Sequence, residues 1–224
     1  MRRYLFPMVI GICGAAVLIS LGLWQLRRLE WKEAYLAEIE AQIGGVPVAL
    51  PQSFDPEADR FLPVQVAGRF AGGQLRVLSG VKGIGPGHRL IAAFETDDGR
   101  RILIDRGFLP QQAPGGTPPE GAVQVTGNLH WPREADKFTP DPDLKADLWF
   151  ARDVPAMAAH LDAEEVLIVA RQVTGDNGDV LLQPVDTSGI PNDHLEYALT
   201  WFGLTFVWLG MTALLMWRIR RKTV

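Results

Sequence analysis

The sequence predicts an integral membrane protein in which two transmembrane helices flank an exported mainly-β (α+β) domain, built on an antiparallel sheet or small barrel. Three observations predict it. An uncharged apolar run lies at each end, all 26 acidic residues fall between Glu30 and Glu196, and the middle alternates short strand-like runs with turn residues.

The first run, Tyr4 to Leu23, holds Leu5, Phe6, Met8, Val9, Ile10, Ile12, Val17, Leu18, Ile19 and Leu21. Twenty helical residues reach about 30 Å, the thickness of a hydrocarbon core, so residues 4–24 read as one span after a short cytoplasmic N-terminus at 1–3. Met1-Arg2-Arg3 would also suit a signal peptide. The apolar run exceeds the roughly 7 to 15 residues of a signal core, and Trp24-Gln25-Leu26-Arg27-Arg28 stands where small cleavage-site residues belong, so a retained signal anchor is the better reading. Residues 197–217 form the second span, with Leu199, Phe202, Leu204, Phe206, Val207, Leu209, Leu214 and Leu215 as its apolar body, and 218–224 form a basic tail. Arg2, Arg3, Arg218, Arg220, Arg221 and Lys222 on one side outnumber Arg27, Arg28 and Lys32 on the other, which places both termini in the cytoplasm. Residues 25–196 are then exported.

Between Leu29 and Glu196 there are 14 basic residues against 26 acidic ones, a balance that excludes nucleic acid as a partner. The single cysteine, Cys13, lies inside the first span. Disulfides, copper thiolates, zinc clusters and thiol exchange are thereby excluded from the exported domain.

Leu26, Leu29, Trp31, Tyr35, Leu36 and Ile39 continue the helical period to about Ile43, where Gly44-Gly45-Val46-Pro47 ends it. A proline-rich linker to Pro63 follows. Strands are expected near 64–70, 74–79, 88–95, 101–108, 123–130, 148–151, 166–173 and 179–184, with a hairpin turn at Asp97-Asp98-Gly99 and a surface loop over 111–121. One short helix, capped by Asp153 and containing Pro155 and Met157 to Leu161, interrupts them.

No two of His88, His130, His160 and His194 have the spacing of a helical metal pair. Ser79, His88 and Asp105 can be drawn as a hydrolase triad, but no nucleophile-elbow sequence supports it. His194 stands apart, because it falls about a helical turn before the second span. On a helix begun near Asn192, His194, Ala198 and Trp201 share one face, offering an imidazole, a small gap and a flat aromatic to a planar ligand such as haem. Interfacial anchoring of His194 and Trp201 at headgroup depth is the competing explanation. Arg27, Arg28 and Lys32 emerge at the same outer interface, suited to haem propionates or to lipid phosphates. Gly11, Ala15 and Gly22 form a small-residue stripe on the first span, and Gly203 and Gly210 lie seven apart on the second, so close helix packing is expected. Thr200, Thr205 and Thr212 either bond across helices or back-bond within their own. Arg106 is expected to be a buried ion-pair partner rather than a working residue.

Four motifs, in order along the chain, carry a family resemblance. Leu21-Gly22-Leu23-Trp24-Gln25-Leu26-Arg27-Arg28-Leu29-Glu30-Trp31-Lys32 resembles LGxWQxxRxxWK of the Surf1/Shy1 family. Val64 to Phe70 resembles its VxVxGxF strand, and Gly99 to Pro110 its GxxVLVNRGWVP strand. Asn192-Asp193-His194-Leu195-Glu196-Tyr197-Ala198-Leu199-Thr200-Trp201-Phe202 is similar to NNHLQYAxTWF. The departures are Asp105, Phe108, Asp193 and Glu196 for Asn, Trp, Asn and Gln.

The resemblance implies a non-enzymatic assembly factor for cytochrome c oxidase, set in a bacterial inner membrane with its domain in the periplasm. It implies a cofactor, haem a, bound transiently. His194 is then the axial iron ligand, Trp201 walls the ring, and Arg27 or Arg28 pairs a propionate. The implied partners are oxidase subunit I, haem a synthase, membrane lipid and a second copy of the chain. Within the family, the alternative is a scaffold that stabilises an assembly intermediate without holding haem.

Overall fold

The structure, a computed structural model, describes residues 2–221; Met1 and residues 222–224, including Lys222 of the basic tail, lie outside the described residues. The chain forms two compact units. One comprises the residues up to Glu38 together with those from Thr187 on, and the other runs from Ile39 to Asp186.

The first unit is a pair of helices, α1 (Arg2–Ile43, whose last turn belongs to the second unit) and α3 (His194–Arg221). Both are long and apolar enough to cross a membrane. They run antiparallel, since Gly11 meets Thr212, Gly14 meets Trp208 and Gly22 meets Phe202. Within the first unit, positions 11, 15, 18, 22 and 25 of α1 and 194, 198, 201 and 205 of α3 are buried or partly buried. Alternating steps of four and three keep one stripe of each helix on its partner. Small residues make that approach possible: a methyl group at Gly11 would lie 2.3 Å from Thr212 Cγ2, and one at Gly22 would lie 2.5 Å from Phe202 Cε1. The expected stripe of Gly11, Ala15 and Gly22 is therefore the packing face. Gly203 and Gly210 are not part of it, because nothing lies within 4 Å of a methyl group built on either. The three threonines back-bond to the carbonyls of Glu196, Trp201 and Trp208.

The second unit is a mixed sheet with one helix. Its strands are β1 (Val48–Ala49), β2 (Pro63–Val81), β3 (Gly85–Thr96), β4 (Arg101–Pro110), β5 (Val123–Leu129), β6 (Leu148–Trp149) and β7 (Leu167–Val173). They are ordered β1-β2-β3-β4-β7-β5, with β5 pairing β2 as well and β6 also on β2. The sheet is not purely antiparallel as expected: β1–β2, β2–β6 and β4–β7 are parallel. The two strands expected at 64–70 and 74–79 are one strand, β2, whose register shifts between Phe70 and Gln74 where Gly72 and Gly73 take positive φ. The linker contains β1, and the strand expected at 179–184 is reduced to a bridge between Leu181 and Phe108.

Both faces of the sheet are covered. Val64, Val66, Phe94, Ile102, Ile104, Val125 and Ile168 fill one core. Leu75, Val77, Ile91, Leu103 and Leu167 fill the other, against Val154, Met157, Ala158 and Leu161 of α2 (Val154–Leu161). Neighbours such as Ile102 and Leu103 thus serve opposite cores, which explains why β4 is apolar without alternation. Asp153 caps α2 by accepting the Ala156 N–H at 3.2 Å, as expected. Thr96, Arg100 and Gly99 close the expected hairpin, with Gly99 at φ +85°.

Beyond Ile104 the β3–β4 ladder slips: Ile91 faces Asp105 while Leu90 faces Gly107, so Arg106 is the extra residue of a bulge. Gly107 has φ +117°, and a methyl group there would lie 2.2 Å from Leu181 O. Gly83, at the tip of the β2–β3 hairpin, also has positive φ but open space around it. Gly83→Ala is expected to cost about 1 kcal/mol from backbone strain alone, and Gly107→Ala several-fold more because strain adds to a backbone clash. Urea unfolding of the purified full chain checks the contrast.

Candidate functional site at the helix pair

At one end of the seam, two polar side chains meet among small and apolar neighbours. His194 Nδ1 lies 2.8 Å from Gln25 Oε1. Gln25 is only 9% exposed, so its amide depends on a protein partner rather than water. The imidazole sits at the first residue of α3, and Tyr197 N–H bonds the carbonyl of Asp193 to begin the helix. Asn192 Oδ1, two residues earlier, is buried with no hydrogen-bond partner. Further along, Trp208 Nε1 donates to the Gly11 carbonyl at 3.0 Å. Such cross-helix bonds contribute about 0.6 kcal/mol each on average, and here they also fix the register.

Of the residues singled out in the sequence, His194 and Trp201 lie on the seam, one helical heptad or about 10 Å apart along the axis. Both are partly buried. Ala198 between them is 1% exposed. It is a packing position, not an open gap for a flat ligand, so a ligand on His194 must lie beside the seam. Arg27 and Arg28 are exposed, and neither is bonded to His194 or Trp201. At about 100° per residue, Arg28 comes within about 60° of the direction of Gln25, whereas Arg27 points away from it. The Arg28 guanidinium lies 4.4 Å over the Trp31 ring. Gln25 was not singled out, although it stands inside the Trp24-Gln25 motif; a polar residue in line with Gly11, Ala15 and Gly22 was the available signal.

The sheet unit has its own buried charges. Asp105 and Arg106 are both fully buried. Asp105 Oδ2 accepts from Arg89 at 2.8 Å and Arg152 at 3.1 Å, and Oδ1 from the Gly107 N–H at 3.1 Å, so it is committed to arginines, not to a hydrolase triad with Ser79 and His88. Arg106 is structural, but it is not the expected ion-pair partner. Its N–H groups go to Gln74 Oε1 at 2.6 Å, Thr117 O at 3.0 Å, Asn177 Oδ1 at 2.8 Å and Gly116 O, all neutral. Burial lowers its pKa to about 10, leaving a cation that ties the 111–121 loop to the 175–180 turn. A cavity of about 870 Å³ in this unit is lined by Arg69, Glu95, Asp97, Arg101 and Asp162 among others. Arg69 and Arg101 both pair with Glu95 there, at 2.7 and 3.3 Å.

With this geometry in place, comparison with known proteins is decisive. The SURF1 family profile matches residues 12–206, a stretch that contains Gln25, His194, Trp201 and the whole sheet unit. The chain belongs to the SURF1 family. Surfeit locus protein 1 of Xenopus tropicalis is 31% identical over 219 residues, covering 84% of this chain and 70% of its own length. The SURF1-like protein of Monosiga brevicollis is 31% identical, covering 92% of this chain and 84% of that protein. A bacterial member, the SURF1-like protein of Rickettsia felis, is 30% identical over 203 residues and covers 84% of this chain and 87% of its own. The resemblance read from the motifs is thus the family relationship itself.

His130 gives the family's sheet unit a pH dependence in this chain. Its ring stacks on Phe61 at 5.5 Å, Nδ1 is buried without a partner, and burial, reinforced by Arg152 and Arg60, lowers its pKa to about 4. A histidine held neutral in the fold but free to protonate when unfolded contributes stability that is complete above about pH 6.5 and is lost as the pH falls toward 4. Burial opposes the Glu134 carboxylate, but bonds and charge from Arg152 outweigh it and lower its pKa, which adds loss in the same direction at lower pH. Thermal melts between pH 7 and 4.5 should fall less steeply for His130→Gln than for wild type, the difference reaching no more than about 3 kcal/mol.

Proposed function

We propose that this family member is a non-enzymatic assembly factor for haem-copper cytochrome c oxidase, which binds haem a and assists its delivery to, or retention in, subunit I. It sits in the bacterial inner membrane as a two-span protein, with both termini cytoplasmic and the sheet unit periplasmic. Family membership supports the assembly role, and the two apolar helices, with the excess of basic residues on their terminal flanks, support the topology.

The observation that carries the haem reading is the His194–Gln25 contact. Haem would supply an iron that an imidazole nitrogen can ligate. The donor set suits it: with Nδ1 engaged by Gln25, Nε2 is the nitrogen left to bind a metal. Buried Asn192 Oδ1, still lacking a donor, marks the same end of the helix pair as incomplete. His194 would hold the iron, Trp201 would wall the ring at the seam's edge, and Arg28, on the Gln25 side of α1, is the better placed of the two arginines to pair a propionate. The sheet unit is then the surface for oxidase subunits, with haem a synthase and a second copy of the chain as further partners.

Co-expression of the full chain with haem a synthesis, followed by purification and absorption spectroscopy, tests this. Wild type is expected to carry haem, His194→Ala to lose most of it, Arg28→Ala to bind roughly tenfold more weakly, and Arg27→Ala to resemble wild type. Equal haem in wild type and His194→Ala at equal helical content contradicts the ligand assignment.

A further inference from the structure

Gln25 is the one polar side chain that α1 places on the buried stripe formed by Gly11, Ala15, Leu18 and Gly22. Nothing in packing calls for a carboxamide there. Three residues before it on α1, Gly22 packs on Phe202, and its own bond is to His194 Nδ1 at 2.8 Å, one turn of α3 before the buried Ala198. An amide in such surroundings is costly without a partner, so the pair holds each other's geometry.

A neutral imidazole carries one N–H, and the nitrogen that carries it is fixed by the bond that nitrogen makes. If Gln25 Oε1 accepts, the proton resides on Nδ1 and the lone pair on Nε2. Metal-binding histidines ordinarily use their second nitrogen in this way, donating to a carbonyl or carboxylate that sets both tautomer and ring orientation.

We propose that Gln25 is the positioning residue of the haem site: its carboxamide oxygen holds His194 as the Nδ1–H tautomer and turns Nε2 toward the iron. This rests on the haem reading above, and adds to it a residue on the other helix. His194 is then competent only when α1 and α3 are in register. The seam glycines and the Trp208 bond become part of what sets the ligand, through the same helix contact.

The test uses the detergent-solubilised full chain, wild type and the variants Gln25→Leu and Gln25→Glu, with three readouts. Nitrogen-15 NMR of the histidine ring without haem reads the tautomer directly: wild type and Gln25→Glu are expected to show Nδ1–H, and Gln25→Leu to lose that preference. Haemin titration is expected to show about 10- to 100-fold weaker binding for Gln25→Leu, with recovery in Gln25→Glu, which keeps an acceptor and no donor. The haem reduction potential is expected to move negative in Gln25→Glu, because a carboxylate acceptor makes the imidazole a stronger donor to iron; a merely structural glutamine would not move it. An Nε2–H tautomer in haem-free wild type overturns the proposal, as does unchanged haemin affinity in Gln25→Leu. If wild type and His194→Ala bind haemin equally, the haem reading itself fails, whereas a His194-dependent affinity that ignores Gln25 leaves that reading standing and removes only Gln25.

Discussion

A polar group that leaves water must find a partner, and in the seam between α1 and α3 this constraint sets the register on which the orientation of His194 depends. Three glycines let the helices approach, yet glycines alone would permit sliding. Gln25 with His194, and Trp208 with the Gly11 carbonyl, permit one alignment. In a lipid-like environment apolar side chains give little preference for one helix neighbour over the lipid itself. Small-residue contact and a few satisfied polar groups must therefore do the selecting. The structural consequence is local: His194 is oriented by α1 as well as by its own helix.

The sheet unit obeys the same rule with larger charges. Asp105 and Arg106 are adjacent, fully buried and not paired with each other, because the bulge at Arg106 sends them to different partners. Asp105 takes two arginines, while Arg106 is solvated by carbonyl and amide oxygens from two loops. Removing either would strand the opposite partners without water, which makes the end of β4 a rigid junction. The same unit claims the last turn of α1, since the Ile43 carbonyl accepts from Asn128 at 2.9 Å and Arg171 at 3.0 Å. A cation at that helix end also complements the helix dipole.

Much of this was legible in the sequence wherever the signal is local. Charge-free runs of span length, the Asp153 cap, the Asp-Asp-Gly turn and the strands over 88–95, 101–108, 123–130 and 166–173 each rest on signals within a few residues and appear close to where they are expected, whereas 148–151 shortens to two residues and 179–184 to a bridge. What escaped is non-local. Parallel pairing of residues 103–105 with 167–169 leaves no mark in either segment. The continuity of β2 through Gly72 and Gly73 resembles a turn, because positive-φ glycines serve bulges and turns alike. Arg106 read as an ion-pair partner because a buried arginine usually has a carboxylate, and only the fold reveals that Asn177, Gln74 and the carbonyls of Gly116 and Thr117 replace it. At the helix pair, the stripe of small residues was visible, but the partner of His194 lies 169 positions away on the other helix.

The register of α1 against α3 is the claim on which the oriented histidine rests, and cysteine cross-linking in the full chain measures it most directly. In a Cys13→Ala background, Gly22→Cys combined with Phe202→Cys should form a disulfide rapidly under mild oxidation. Gly22→Cys combined with Gly203→Cys, one residue further along α3 and off the seam, should not. Equal cross-linking of the two pairs, or preference for the second, would contradict a fixed seam and with it the placement of Gln25 against His194.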